Sequence, residues 1–488
     1  MKLQDLVYEL ETRMKLTTIN IDEDITIEGL ADNSRDVKEN YLFVAVKGFD
    51  KDGHSFINQA VSDGATAVIG EEDLADELEV PYIKVPNSRR ALGILSNKFY
   101  HFPAKDKWLI GITGTNGKTT TSYLLKEIIE SSGKSCAVIG SIQNIVNGRV
   151  YPTQNTTPSS LKINQMLALS TDDVVIIEVT SHALTQHRVE GLAFDMALFT
   201  NLSHDHLDYH SSMEEYFEAK RRLFKMLKQD GKAVINTDDS WGAHLERLLK
   251  EEGKSVFTVG KEEGRDFHIA QTEANPPKLT VKDENGETTI YSSMSGMHNM
   301  YNMTMSFAAA DLVGVDKPII CEAIEKFEGV KGRFQVIKIN EVTAVVDYAH
   351  TPDAIYHCLN TAKQAGARKI IHVFGFRGDR DSTKRREMMG ITSEISDHYI
   401  LTFDDLNSVS GEEMEEMLWK VQDMYGNGKG KVITDRTLAI RAAVELADDG
   451  DWILVTGKGN ESYQQNYSLP TESDEETIHY FALEQSKG

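Results

Sequence analysis

Residues 111–121, Gly-Ile-Thr-Gly-Thr-Asn-Gly-Lys-Thr-Thr-Thr, stand between the apolar run Trp108-Leu109-Ile110 and the helical pattern Tyr123-Leu124-Leu125-Lys126-Glu127-Ile128-Ile129. A glycine-rich turn between a strand and a helix aims several backbone N–H groups at one point, and the helix N-terminus adds a dipole that favours anions. Lys118 supplies a mobile cation for outer phosphates, and Thr119 a hydroxyl for Mg²⁺. The segment reads as a nucleoside-triphosphate loop. The general P-loop spacing asks for a glycine where Ile112 stands; Gly111 and Gly114 give instead the narrower string Gly-Thr-Asn-Gly-Lys-Thr.

Outward from this loop the chain alternates short apolar runs with helical patterns. Before it, residues 41–46, 67–70 and 82–85 read as buried strands with helices around 55–63 and 88–101, a small α/β unit. After it, the runs at 137–140, 174–179, 196–201 and 233–236 alternate with helical stretches, the signature of a mostly parallel sheet covered on both faces. Residues 256–292 alternate in polarity with turn-rich breaks and suggest a β-ribbon edge. A third alternation, with strands at 344–348, 369–375, 398–402 and 451–457, predicts a Rossmann-like domain. The expected fold is therefore α/β in three domains: a small N-terminal α/β domain (1–105), a central P-loop domain with a mostly parallel sheet (106–333), and a C-terminal Rossmann-like domain (334–488). Polar loops follow the carboxyl ends of the strands, where ligands of open α/β sheets bind.

Composition limits the function classes. The chain has 488 residues, 40% hydrophobic and 26% charged, which fits a globular protein of about three domains. Its 76 acidic and 52 basic residues leave a formal charge of −24, against non-specific nucleic-acid binding. Cys136, Cys321 and Cys358 are far apart and form no metal-ligand cluster, as expected in a reducing cytoplasm. No apolar run is long enough to span a bilayer, and Met1-Lys2-Leu3-Gln4-Asp5 is no signal peptide, so a cytoplasmic protein without a membrane partner is expected.

Glu178 ends an apolar strand and precedes Val179-Thr180-Ser181-His182. A strand-end carboxylate in a sheet that feeds a phosphate loop is placed to hold Mg²⁺, although many such acids are simply solvated. A second polar cluster, His204-Asp205-His206-Leu207-Asp208-Tyr209-His210, follows the next strand. It lacks thiolates and a partner cluster, so a magnesium site with one histidine and one carboxylate fits better than structural zinc.

Together these strings resemble the Mur ligase family, ATP-dependent amide-bond-forming enzymes of peptidoglycan precursor synthesis, and in particular the member that adds the third amino acid. The resemblance runs through Asn33-Ser34-Arg35, the 48–54 string ending in Asp52-Gly53-His54, Asn155-Thr156-Thr157-Pro158, residues 178–184 and 201–210. It continues through Tyr216-Phe217-Glu218-Ala219-Lys220, Gly332-Arg333, Asp347-Tyr348-Ala349-His350-Thr351-Pro352-Asp353, Gly378-Asp379-Arg380-Asp381 and Gly457-Lys458-Gly459. It implies that Gly114, Thr115, Asn116, Gly117, Lys118, Thr119 and Thr120 cradle the ATP phosphates. Asn299, Asn302, Arg333 and Asp347 would also contact the nucleotide. One Mg²⁺ would lie at Thr119 and Glu178, and a second at Glu178, His206 and Lys220, the lysine carrying a CO₂-derived carbamate. A carbamate offers the anionic oxygens that an ammonium lacks; read from the residues alone, Lys220 beside Arg221 and Arg222 is a solvated helix lysine. Ser34, Asn155, Thr156, Thr157, Thr180, Gln186 and Arg188 would bind UDP-N-acetylmuramoyl-L-Ala-D-Glu, Thr180 standing where serine is usual. Lys118, Glu178, His206 and Lys220 form the implied catalytic set, in a protein expected to act as a monomer on small-molecule substrates.

The implied chemistry is carboxylate attack on the γ-phosphate, then amine attack on the acyl phosphate. Departures cluster in the amine site. Enzymes that add meso-diaminopimelate carry Asp-Asn-Pro-Arg where this chain has Asp404-Asp405-Leu406-Asn407, so the arginine is gone and a carboxylate is gained. Extra negative charge favours a substrate ending in a bare ammonium, L-lysine or ornithine. Arg380 would hold the substrate's α-carboxylate, with Gly457 and Glu461 nearby. Asn460 replaces a histidine, and Phe376-Arg377 replaces a pair of small residues. Three alternatives stay open: a paralogue that joins a different amino acid or acyl substrate, a folylpolyglutamate-synthetase-like ligase, and a non-enzymatic nucleotide-dependent scaffold.

Overall fold

A computed structural model describes residues 1–18, 24–48, 51–74, 78–274 and 276–485. Phe49 and Asp50 of the 48–54 string lie outside the described residues. The chain packs as two compact units: segments 1–113, 134–197 and 219–232 form one, and 114–133, 198–218 and 233–488 the other.

In the first unit a five-stranded sheet runs in the order Thr17–Thr18, Tyr82–Lys84, Ala65–Gly70, Tyr41–Val44, Gly29–Ala31, parallel except for its first pair. Alternation along Tyr41–Val44 sends Leu42 and Val44 into a core with helices Leu3–Glu11 and Ser88–Phe99, and Phe43 into the opposite one with Ile57 and Ala60. The same unit carries the strand feeding the phosphate loop, Trp108–Thr113. It pairs in parallel with Val174–Glu178, which pairs in parallel with Cys136–Ile139. These strands are buried on both sides and read as unbroken apolar runs, as parallel strands do. An antiparallel hairpin, Asn144–Val146 and Arg149–Tyr151, extends that edge.

In the second unit the helix after the phosphate loop, Lys118–Ser131, packs on the long helix Met297–Val313, where Ser306 Oγ donates to the Thr121 carbonyl at 3.3 Å. The expected ribbon is present: Ser255–Gly260 runs parallel to Phe267–Ala274, followed by antiparallel Pro277–Asp283 and Gly286–Tyr291. A six-stranded sheet follows in the order Gln335–Ile339, Val342–Asp347, Trp452–Thr456, Ile370–Phe376, His398–Phe403, Gly430–Val432, parallel apart from its first pair. Helices Pro352–Gln364, Arg385–Ile395 and Gly411–Tyr425 cover one face, and Arg436–Leu446 and Asp474–Gln485 the other. The last strand in sequence, Trp452–Thr456, is inserted between Val342–Asp347 and Ile370–Phe376. The carboxyl ends at 347, 376, 403 and 456 are thereby gathered at one rim.

Candidate active site

The phosphate loop in the second unit is built around two glycines. Gly117 caps Lys118–Ser131 in the left-handed region, φ 87°, and a Cβ there would lie 2.4 Å from Asn302 Oδ1. Gly114, φ 150°, leaves room for Thr200, whose Oγ1 would be 1.9 Å from a Cβ. Lys118 Nζ donates to the carbonyls of Gly114 and Thr115, each at 2.9 Å. The Asn116 amide N–H donates to Asn201 Oδ1 at 2.9 Å, and Thr200 Oγ1 donates to the Asn116 carbonyl at 2.6 Å. Asn302 Nδ2 donates to Asn299 Oδ1 at 3.2 Å, so Asn299 supports the asparagine that lies against the loop. Arg333 stacks over Tyr348, 4.3 Å to the ring centroid. Asp347 accepts from the amides of Phe334 and Ala349 at 2.5 and 2.6 Å. Burial raises the Asp347 pKa, opposed by Arg333 and those two N–H groups.

The loop after Phe194–Phe199 turns through His206 at φ 56°. Asp205 Oδ1 accepts from Lys384 Nζ at 3.1 Å, with His206 and His350 at 3.4 and 3.6 Å from its other oxygen. Burial opposes its ionisation, yet the charges of His206, His350 and Lys384 hold it well below the usual carboxylate range. His210 stacks on Tyr216 at 5.0 Å. Among the described residues, the group of three metal-type ligand atoms within reach of one another is Asp52, His54 and Glu72, not the 204–210 loop. His54 is a structural residue: Nδ1 pairs with Asp52 Oδ1 at 2.6 Å, and Nε2 accepts the Glu71 N–H at 2.8 Å.

In the first unit Glu178 ends its strand fully buried. It accepts from the Ser141 amide at 3.3 Å and from Ser141 Oγ at 2.9 Å. A Cβ at Gly140 would sit 2.3 Å from Glu178 Oε1, so glycine there makes room for the carboxylate. Around it the expected acyl-substrate residues converge. Ser141 Oγ donates to Thr156 Oγ1 (3.1 Å), Thr157 Oγ1 to the Glu178 carbonyl (2.7 Å), and the Thr180 amide to Thr157 Oγ1 (3.2 Å). Arg188 donates from Nη1 to the Thr157 carbonyl (2.6 Å) and from Nη2 to Gln186 Oε1 (2.9 Å). Ser34 opens the 3-10 turn Ser34–Asp36, next to Asp32, which accepts from Ser159. Asn155 is exposed, its carbonyl accepting from Thr153. Arg89 went unread in the sequence, where Arg89-Arg90 look like a solvated helix start; it reaches Gln186 Oε1 at 3.4 Å and the Lys47 carbonyl at 2.7 Å. Lys220, 1% exposed in helix Met213–Lys225, is not the solvated lysine its neighbours suggest.

At the rim of the six-stranded sheet a pocket is lined by Asp205, His206, Tyr348, Phe376, Arg377 and Arg380, among others. Here the charge expectation is corrected. Asp405 is ion-paired with Lys458 at short range. Asp404, buried, lies 3.5 Å from Arg377 Nε; burial opposes its ionisation, but Arg377, Arg436 and Lys458 keep its pKa low. The added carboxylate, Asp405, is thus balanced inside the protein by Lys458. Asn407 latches its loop by donating to the Gly378 carbonyl at 2.6 Å. Glu461 pairs closely with Arg377, and the Gly457 carbonyl accepts from Arg377 Nη2 at 3.1 Å. Arg380 is half-exposed, Nη1 3.7 Å from Asp208.

Three family models match in succession: the Mur ligase family catalytic domain over 26–100, the Mur ligase middle domain over 112–310, and the Mur ligase glutamate ligase domain over 332–459. These matches, with a strand-fed phosphate loop and a buried strand-end carboxylate, define an ATP-dependent ligase that forms amide bonds. The chain belongs to the Mur ligase family. A relative from Bacillus velezensis, named UDP-N-acetylmuramoyl-L-alanyl-D-glutamate–2,6-diaminopimelate ligase, is 38% identical over 459 residues, 91% of each chain. A solved structure with that same protein name is 28% identical, with a TM-score of 0.69 over 100% of this chain and 99% of the other. The MurF ligase from Thermotoga maritima, solved in complex with ADP, shares the fold at 19% identity, with a TM-score of 0.65 over 96% of this chain and 100% of that one.

Proposed function

We propose that the protein joins an amino acid to the terminal carboxylate of UDP-N-acetylmuramoyl-L-Ala-D-Glu, consuming ATP, in peptidoglycan precursor synthesis. The observation that carries this reading is Glu178: fully buried, held by Ser141, and joined through Thr157 to Thr180 and Arg188. The acyl substrate follows the names of relatives that align over nine-tenths of the chain. We take the domains as 1–105, 106–333 and 334–488, a division supported by family models that match 26–100, 112–310 and 332–459.

Lys118 and the loop amides bind the β- and γ-phosphates, and Asn299, Asn302, Arg333 and Asp347 hold the rest of the nucleotide. Thr156, Thr157, Thr180, Gln186 and Arg188 fix the acyl substrate so that its carboxylate attacks the γ-phosphate, giving an acyl phosphate and ADP. The amine then attacks the acyl carbon, and phosphate leaves the tetrahedral intermediate. The hydroxyl, carboxylate and imidazole of Thr119, Glu178 and His206 suit Mg²⁺, which screens repulsion between the reacting anions when bound. A carbamate on Lys220 would turn that buried side chain into an anion with oxygens able to ligate Mg²⁺, which an ammonium cannot do. Labelling with ¹³C-bicarbonate would reveal it as a carbamate resonance that Lys220→Ala abolishes. Among the described residues no helix is long and apolar enough to cross a membrane; we read the protein as a cytoplasmic monomer. The lysine or ornithine preference loses its ground with the neutralised carboxylates, and the relatives' names point to 2,6-diaminopimelate.

The test is amine-dependent phosphate release from ATP and the UDP-muramoyl-dipeptide. Lys118→Ala and Glu178→Ala are each expected to lower kcat/KM by about 100-fold or more, with far-UV circular dichroism unchanged. Undiminished ligation in either folded variant would overturn the reading.

A further inference from the structure

On the ligase reading above, we propose that Phe376 and Arg377 close the amine pocket to side-chain ammonium groups, so that the amino acid joined is small and neutral. Arg377 follows strand Ile370–Phe376 directly and occupies the acidic end of the pocket. Its Nη1 donates to Tyr348 Oη at 3.2 Å, and its Nη2 to the Gly457 carbonyl at 3.1 Å and to Glu461. Its Nε lies 3.5 Å from Asp404, and its plane stacks over Tyr348 with 5.1 Å to the centroid. Asp405 is taken by Lys458, and Asp404 is also within the field of Arg436. Asp404 and Glu461 thus share the Arg377 guanidinium, while Asp405 pairs with Lys458. A lysine, ornithine or diaminopimelate side chain reaching here meets first a guanidinium of like charge, set in front of Asp404 and Glu461. A side-chain carboxylate fares no better, because both terminal nitrogens are engaged and Asp404, Asp405 and Glu461 surround them.

Phe376 acts by bulk. Its ring is buried, edge-on to Phe374 at 5.7 Å, with the Arg385 guanidinium at 5.6 Å. With buried Met388 it forms an apolar wall of the pocket. The half-exposed Arg380 lines the same pocket, so it would take the α-carboxylate while the side chain lies against this wall. The 2,6-diaminopimelate in the relatives' names carries the very ammonium that this closure excludes.

The experiment offers the full-length protein ATP, Mg²⁺ and UDP-muramoyl-dipeptide with glycine, L-alanine, L-serine, L-lysine, L-ornithine or meso-diaminopimelate, and reads amine-dependent phosphate release. The best small neutral amine is expected to exceed every diamino acid by about 10-fold in kcat/KM. A diamino acid that equals or leads it overturns the proposal. Arg377→Gly, which uncovers Glu461, is expected to shift the lysine-to-alanine ratio toward lysine by about 10-fold. An unchanged ratio in folded Arg377→Gly and Arg377→Met also overturns it. Hydroxylamine capture of the acyl phosphate as a hydroxamate reports on the ligase reading without using the amine pocket. Absence of hydroxamate fells that reading and this proposal with it; hydroxamate formation together with a preferred diamino acid fells the proposal alone.

Discussion

At Gly117 one hydrogen atom keeps Asn302 in place. The backbone is left-handed, and a methyl group would collide with Asn302 Oδ1 at 2.4 Å. Gly117→Ala therefore combines conformational strain with a steric clash and is expected to cost about 1–2 kcal/mol in chemical denaturation. Because Asn302 leans on Asn299, nucleotide affinity should fall with it, measurable by titration of an ATP analogue. Residue by residue, the strand, glycine turn and helix around 111–121 were legible because they depend on local backbone geometry. The burial of Lys220 was not legible, since nothing in Arg221 and Arg222 announces that the preceding side chain is buried. Asp405 misled for a related reason: its charge shows in the sequence, but its partner Lys458 lies 53 residues away.

Among the elements, strand Ile370–Phe376 carries a titrating group sealed in its middle. His372 sits between Thr392 Oγ1 at 3.1 Å and Thr456 Oγ1 at 2.9 Å, with its ring stacked on Phe374 at 4.4 Å. Burial, and then Arg436, lower its pKa to about 3. The unfolded chain binds this proton near pH 6.5, as an ordinary histidine does. Between those values the unfolded state takes up a proton that the fold refuses. Stability is thus fully present above about pH 6.5 and is lost on acidification by about 1.4 kcal/mol per pH unit from this group. Urea unfolding from pH 6.5 down to 4.5 should show a slope shallower by that amount in His372→Gln. Helix Gly411–Tyr425 begins with a reciprocal box between Ser410 and Glu413, and Ser410→Ala should cost about 1 kcal/mol in the same assay. The apolar strands and the ribbon at 256–292 were readable because burial on both faces or strict alternation leaves a pattern. The hairpin around Asn147-Gly148, whose residues both adopt positive φ, was overlooked although Asn-Gly is its usual signal; its strands have only three residues each, too short for alternation to register.

For the whole molecule, ligand linkage gives the broadest check. A Mg²⁺–ATP analogue at about 100 times its Kd should add about 2.7 kcal/mol to the wild-type protein, seen as a rise in Tm, and Lys118→Ala should lose most of it. The α/β architecture and the succession of three ligase segments could be read in advance, since both follow from the order of strands, helices and motifs along the chain. The charge pairing at the rim of the six-stranded sheet could not, because Tyr348, Arg377, Asp404 and Glu461 meet only when strands distant in sequence come together. Trp452–Thr456 has a further consequence for synthesis on the ribosome. Until residue 456 emerges, Val342–Asp347 and Ile370–Phe376 are two unmated parallel edges with no neighbour to hydrogen-bond between them. A nascent chain that stalls before Asp451 leaves these edges open to other chains, a risk of aggregation that ends only when the final strand slots home.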